Sequence, residues 1–128
     1  MKNKKALLVS GAQVSRSGMF QFLEILGFEI VQALNGAQAV EIYMEDPSFD
    51  LILLDTSLTG LNGFTTAKLL RQHQIAKRAY IIGTSSDQES SVKSIKAGMD
   101  AHIVLPMQGH TTKAAPVALS IIRGGLKP

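Results

Sequence analysis

The sequence predicts an α/β fold in which five β-strands alternate with five α-helices around one parallel sheet. Three observations carry this prediction. Short apolar runs recur at residues 6–9, 28–33, 51–54, 80–83 and 103–105, each followed by turn residues and a longer mixed segment, which is the rhythm of strand, turn and helix. The runs are continuous rather than alternating, as in strands covered on both faces, and helices flanking a parallel sheet provide that cover. A chain of 128 residues with 45% hydrophobic content suits one core and leaves no room for a second domain.

The helices follow in order. In "MFQFLEILG", Met19, Phe22, Leu23 and Leu26 recur at i, i+3, i+4 and i+7, and Gly27 is placed to end the helix in a left-handed cap. Phe20 falls off that stripe. Asn35 caps a second helix that stops before Pro47, and residues 63–74 form a third with Phe64, Ala67 and Leu70 inward. Ser86 and Glu89 stand at capping-box spacing before a fourth, which carries Val92 and Ile95 on one face and terminates at Gly98. The fifth begins near Ala115, because Pro116 is tolerated only in a first turn. Residues 1–123 are read as the domain and 124–128 as a tail or the start of a linker.

Composition excludes several functions. The formal net charge of +3 comes partly from Lys2, Lys4 and Lys5, while later basic residues are interspersed with acidic and apolar ones, so no nucleic-acid stripe forms. Aromatics at 5% and no Trp leave a base-stacking platform poorly supplied. The first apolar run stops at Val9 after four residues, short of the roughly 7 to 15 of a secretion signal. No stretch approaches the roughly 18 apolar residues of a membrane span, and without cysteine there are no disulfides or thiolate metal sites. The plain expectation is a cytoplasmic protein that binds neither membrane nor nucleic acid. His73 and His110 have no second ligand at metal spacing, so no metal site is expected. No Ser-His-Asp set and no dinucleotide or P-loop glycine spacing occurs, so the chain is not expected to be an enzyme.

One stretch is specific. In "FDLILLDTSLTGLNGF" four apolar residues run into a single aspartate, Asp55, before threonines and glycines turn the chain. In open parallel sheets, ligand chemistry gathers at the carboxyl ends of the strands, where a carboxylate can face a crevice while the strand behind it stays buried. The plainer alternative is an aspartate that caps the following turn.

At this point the sequence resembles the receiver domain of two-component response regulators, over nearly the whole chain. "DLILLDTSLTGLNGF" is similar to the family's phosphoacceptor strand and loop, "YIIGTSS" to its fourth-strand motif, "LNGAQAVEIY" to its second-helix signature, and "KAGMDAHIVLPM" to the segment through the fifth strand and following proline. The resemblance implies a doubly wound, flavodoxin-like (βα)5 fold with strand order 2-1-3-4-5. It puts Asp55 at the phosphorylated position, Thr84 at the hydroxyl that orients the phosphoryl group, and His102 at the aromatic position that swings between outward and inward. It also implies protein partners: a histidine kinase, a phosphotransfer domain or an effector. Phe20, beside the first helix, is a candidate contact with them. Leu105-Pro106 stands where the family has a cis peptide bond, and Thr59 where its loop has proline.

The chain departs from the family at two places that carry charge. Ser10 and Gly11 stand where an acidic pair would hold magnesium, and Leu105 stands where a lysine would meet the phosphoryl group. Transfer of an anionic group to a carboxylate needs positive charge in flight. The losses are consistent with each other, since deleting the acids alone would strand a cation. The leading reading is therefore an atypical receiver that acts as an interaction module, with impaired magnesium-dependent phosphorylation and no cofactor. Two others stay open: a working phosphoacceptor that uses Asp55 with magnesium, and a small-anion or nucleotide binder using Ser10, Gly11 and Thr84 as neutral donors. A histidine at 102 also exposes that position to titration, with a strand-end histidine satisfied by water or backbone as the plainer alternative.

Overall fold

A computed structural model of the chain describes residues 4–11, 20–21, 23–56, 62–73, 79–85 and 90–104. In chain order its elements are β1 (Lys5–Val9), β2 (Glu29–Ala33), α1 (Gly36–Glu45), β3 (Leu51–Asp55), α2 (Gly63–Gln72), β4 (Tyr80–Ser85), α3 (Ser90–Lys96) and β5 (Ala101–Val104). Residues 20, 21 and 23–25 are also helical, where the first helix is expected. The sheet order is β2-β1-β3-β4-β5, and every neighbouring pair is parallel. This is the 2-1-3-4-5 order that the resemblance implies. The fifth helix near Ala115, the tail from residue 124, the capping pair Ser86 and Glu89, and the Leu105-Pro106 bond all lie outside the described residues.

Alternation along the strands divides the core between the two faces of the sheet. Leu7, Val9, Ile52, Leu54 and Ile81 pack with Ala39 and Tyr43 of α1, Ala67 and Leu70 of α2, and Ala97 just past α3. Ala6, Leu8, Leu51, Leu53, Ile82 and Ile103 pack on the other face with Leu23 and Phe28. Continuous apolar runs are what a sheet buried on both sides requires, and β1, β3 and β4 are buried almost throughout.

The helix ends use the chemistry expected of them. Asn35 Oδ1 accepts from the Gln38 backbone N–H at 2.8 Å, and Gln38 Oε1 in turn accepts from Leu34 N–H at 2.6 Å. These bonds satisfy amide donors at and beside the start of α1. Asn62 does the same for α2 through Thr65 N–H at 2.9 Å. Gly27 and Gly98 adopt φ of 86° and 98°, a left-handed backbone that a side chain would oppose. Each closes a six-to-one turn, through Phe28 N–H to Leu23 O and Met99 N–H to Ser94 O.

One expectation gains a side and two others shift. Val92 and Ile95 do share a face of α3, but it is the solvent face, with exposures of 60% and 54%. The small residues Ser94 and Ala97 turn inward instead and let the helix lie close to the sheet. Strand β5 begins two residues earlier than its apolar run, since Asp100 N–H already donates to Ile81 O and His102 pairs beside Gly83. Phe20 is half-buried against the second core cluster rather than clear in solvent, and among the described residues of that helix the exposed apolar one is Ile25. A side chain held by the core offers little to a docking partner.

Candidate functional site

The chain reverses its direction of winding between β1 and β3, so a crevice opens where the loop after β1 meets the end of β3. Ser10 and Asp55 occupy its two lips. Ser10 is buried at the end of β1, where its backbone N–H donates to Ala33 O at 3.1 Å and its Oγ donates to Asp55 Oδ2 at 3.4 Å. Asp55 is the last residue of β3 and is 8% exposed. Thr84 sits beside it in the parallel register, on the same face of the sheet and also buried.

The turn after Asp55 is pinned to β4. Thr84 O accepts both the Thr56 N–H at 2.9 Å and the Thr56 hydroxyl at 3.1 Å. The first residue of α2 packs directly on this turn. A Cβ added at Gly63 would stand 2.6 Å from Thr56 Cα and 2.9 Å from Asp55 O, which only glycine avoids. Asn62 caps α2 one residue earlier, so the helix start and the site are built by the same few residues. Thr56 was not singled out by sequence reasoning. Strand β4 continues through Ser85, and its polar end hid the acceptor that anchors the turn.

Among the described residues the crevice is therefore lined by one carboxylate and the side chains of Ser10, Thr56 and Thr84. Gly11, beside Ser10, is close to Leu34 O, with 3.3 Å to the position of a Cβ. Leu105 and the loop from 57 to 61 lie outside the described residues. Among the described residues no group of three or more His, Asp or Glu is placed to hold a metal ion, and no helix is long and apolar enough to cross a membrane.

His102 belongs to the opposite face. Strand alternation sends Asp55, Thr84 and Ile103 to one side and Gly83, Ser85 and His102 to the other. Its Nε2 shares a hydrogen bond with Ser85 Oγ at 2.7 Å, and its Nδ1 shares one with Ser94 Oγ at 2.8 Å. Satisfaction by water or backbone is the plainer expectation, and among the described contacts two serine hydroxyls meet the ring nitrogens. Sequence could have offered Ser85, which shares a face with His102 once the β4–β5 register is set. Ser94 carried no such signal.

A doubly wound sheet of this order, with an aspartate ending its third strand and a threonine beside it on the fourth, defines a receiver-type domain. Comparison with known proteins agrees. The profile of the response regulator receiver domain matches residues 6–115, and the chain belongs to that family. It is 34% identical over 105 residues to the chemotaxis protein CheY of Bacillus subtilis, a match covering 81% of this chain and 87% of that one. It is 31% identical over 104 residues to the nitrate/nitrite response regulator NarL of Escherichia coli, covering 80% of this chain.

The chain spans only 48% of NarL and 27% of a cyclic di-GMP phosphodiesterase of Thermotoga maritima to which it is 28% identical. Among solved structures, the response regulator domain of Thermotoga maritima CheB superposes with a TM-score of 0.82 at 22% identity, covering 99% of this chain and 100% of that one. The receiver domain of the Pseudomonas aeruginosa sensor histidine kinase PA1611, with magnesium in its cleft, superposes with a TM-score of 0.81 at 23% identity over 98% of each chain. The protein is thus a receiver domain of two-component signal transduction, a class that works with histidine kinases and with phosphotransfer or effector partners.

Proposed function

We propose that this receiver is an atypical one, an interaction module whose magnesium-dependent phosphorylation is impaired. The observation that carries the reading is the Ser10 hydroxyl facing Asp55 Oδ2 at 3.4 Å, in the place where the family's chemistry calls for a second acid. The described residues do not fit magnesium. That ion prefers hard oxygen ligands with carboxylates among them and gives up water reluctantly, and here a single carboxylate stands among neutral hydroxyls. Leu105, at the position of the phosphoryl-contacting lysine, supplies no positive charge either.

The output of such a module lies on its surface. Val92 and Ile95 present an apolar strip on α3, flanked by exposed Lys93 and Lys96, and this strip is the proposed contact for a kinase, phosphotransfer or effector partner. One observation favours the second reading, a working phosphoacceptor: Asp55 and Thr84 remain side by side in register at the crevice. Incubation with acetyl phosphate and magnesium, followed by intact mass measurement, separates the two. The module reading predicts an unmodified mass. A stoichiometric phosphate adduct that disappears in Asp55→Asn establishes the phosphoacceptor instead.

A further inference from the structure

The tripeptide Leu-Asn-Gly occurs twice, at residues 34–36 and 61–63, and each copy opens a helix. Asparagine before glycine is the pair most prone to lose its side-chain amide, because no Cβ hinders the approach of the glycine nitrogen to the asparagine Cγ. Both asparagines are exposed caps, with Asn35 Oδ1 accepting the Gln38 N–H at 2.8 Å and Asn62 Oδ1 the Thr65 N–H at 2.9 Å. Their immediate neighbours in sequence are identical, so a difference in their rates comes from the fold.

The two backbone carbonyls are held differently. Asn35 O accepts the Ala39 N–H at 3.1 Å, the ordinary bond of a first helical turn. Asn62 O accepts the Thr66 N–H at 2.9 Å and also the Thr66 hydroxyl at 2.8 Å, from a side chain that is itself buried. The nucleophile in amide loss is the glycine N after its proton has gone, and that negative charge spreads onto the carbonyl oxygen of the same peptide plane. A second donor on this oxygen stabilises the anion. Asn62 O and Gly63 N move as one rigid unit, so both Thr66 bonds persist while Asn62 leaves its extended ψ of 168° to bring Cγ to the nitrogen. Asn35 has a further restraint, because Leu34 N–H donates to Gln38 Oε1 at 2.6 Å and closes the cap from both sides.

We infer that Asn62 is a site of spontaneous deamidation, promoted by Thr66 and felt at the Asp55 crevice. Gly63 N bonds to Asn62 Cγ, the Cγ–Nδ2 bond breaks, and the amide nitrogen leaves as ammonia with the proton that Gly63 N gave up. Water then opens the five-membered ring. Attack at Cγ yields aspartate in an unchanged backbone, whereas attack at the main-chain carbonyl yields isoaspartate, whose backbone runs through Cγ and is one methylene longer. Gly63 has no slack to absorb that length, since even an added Cβ there would stand 2.6 Å from Thr56 Cα and 2.9 Å from Asp55 O. The isoaspartate form therefore displaces the turn that carries Asp55.

The inference is independent of whether Asp55 accepts phosphate. It is tested by holding the full chain in mildly alkaline buffer and following both asparagines in one sample by peptide mapping with mass spectrometry. Asn62 should convert faster than Asn35 in the folded protein, and the two should convert alike in strong denaturant. Thr66→Val should slow conversion at Asn62 by roughly five-fold, the effect of one hydrogen bond of ordinary strength, and leave Asn35 unchanged. Thr66→Ser, which keeps the hydroxyl, should retain the native rate. In the separated isoaspartate form the amide signals of Asp55 and Thr56 should move while those of β2 stay in place. No conversion at Asn62, conversion of Asn35 at an equal or greater rate, a Thr66→Val chain that converts as fast as the native one or faster, or unmoved Asp55 and Thr56 signals overturns the inference. The comparison of the two asparagines needs only the native protein, so it decides the matter even where a variant fails to fold.

Discussion

Ser10 Oγ donates to Asp55 Oδ2 across 3.4 Å, joining the loop after β1 to the end of β3. The contact is long for a hydroxyl and brings no charge. Replacing that hydroxyl with a carboxylate should create a divalent-ion dependence that the account does not expect of the native chain. Ser10→Asp places two acids together, and their repulsion costs roughly 1–3 kcal/mol at neutral pH without magnesium. Millimolar magnesium should restore part of that loss, whereas native stability should not move. Urea unfolding with and without the ion checks both. Gly11 is the poorer choice for the substitution because of its approach to Leu34 O.

Gly63 and the turn at Thr56 are in backbone contact, with neither able to yield as a flexible side chain would. Gly63→Ala should therefore destabilise the domain by about 1–3 kcal/mol through overpacking. Amide chemical shifts at Asp55 and Thr56 should move with it, while those of β2 stay in place. A neutral effect on stability would show that the turn repacks freely.

Arg71 acts as a staple at the other end of the sheet. Its Nε donates to Gly98 O at 2.7 Å, its Nη1 to Ala79 O at 2.7 Å and its Nη2 to Asp100 Oδ2 at 2.6 Å. Both side chains of the pair are mostly buried. Asp100→Asn leaves the guanidinium without its charge partner and should cost on the order of 3 kcal/mol, read from chemical denaturation. The Arg71→Met, Asp100→Asn double variant should lose less than the sum of the single changes.

Asp46 carries the acid response. The Lys5 ammonium donates to its carboxylate, and the Ser48 hydroxyl and backbone N–H add two further hydrogen bonds, holding the group down at about 2 from its usual 3.8. A carboxyl depressed in the folded state contributes stability that is full above about pH 4 and fades as the pH falls toward 2. The pair is only partly buried, so the effect is modest and salt should screen it. Stability measured from pH 5 to pH 2 should lose this component in Lys5→Met and in high salt.

Much of the fold was legible because burial on both faces leaves uninterrupted apolar runs, as in β1 and β3, and because asparagine and glycine mark helix ends by local chemistry. Asp55 stood out for the same reason, as a charge at the end of such a run. What was hidden depends on tertiary packing. The spacing of Val92 and Ile95 reveals a helical face but cannot tell which side the sheet will take, and the buried side went to Ser94 and Ala97. Polar residues concealed the end of β4 and the start of β5, where Thr84, Ser85 and His102 continue the ladder. The seat of His102 needs β4, β5 and α3 together, and no single segment of sequence announces it.

The most direct measurement of the central claim is a magnesium titration of the full chain, following the amides of Ser10, Asp55, Thr56 and Thr84. With one carboxylate among hydroxyls in the described part of the crevice, these signals should show no saturable, site-specific change through millimolar concentrations of the ion. Saturable shifts confined to these residues and lost in Asp55→Asn would contradict the account, because they would mean that the crevice still recruits the positive charge its chemistry needs.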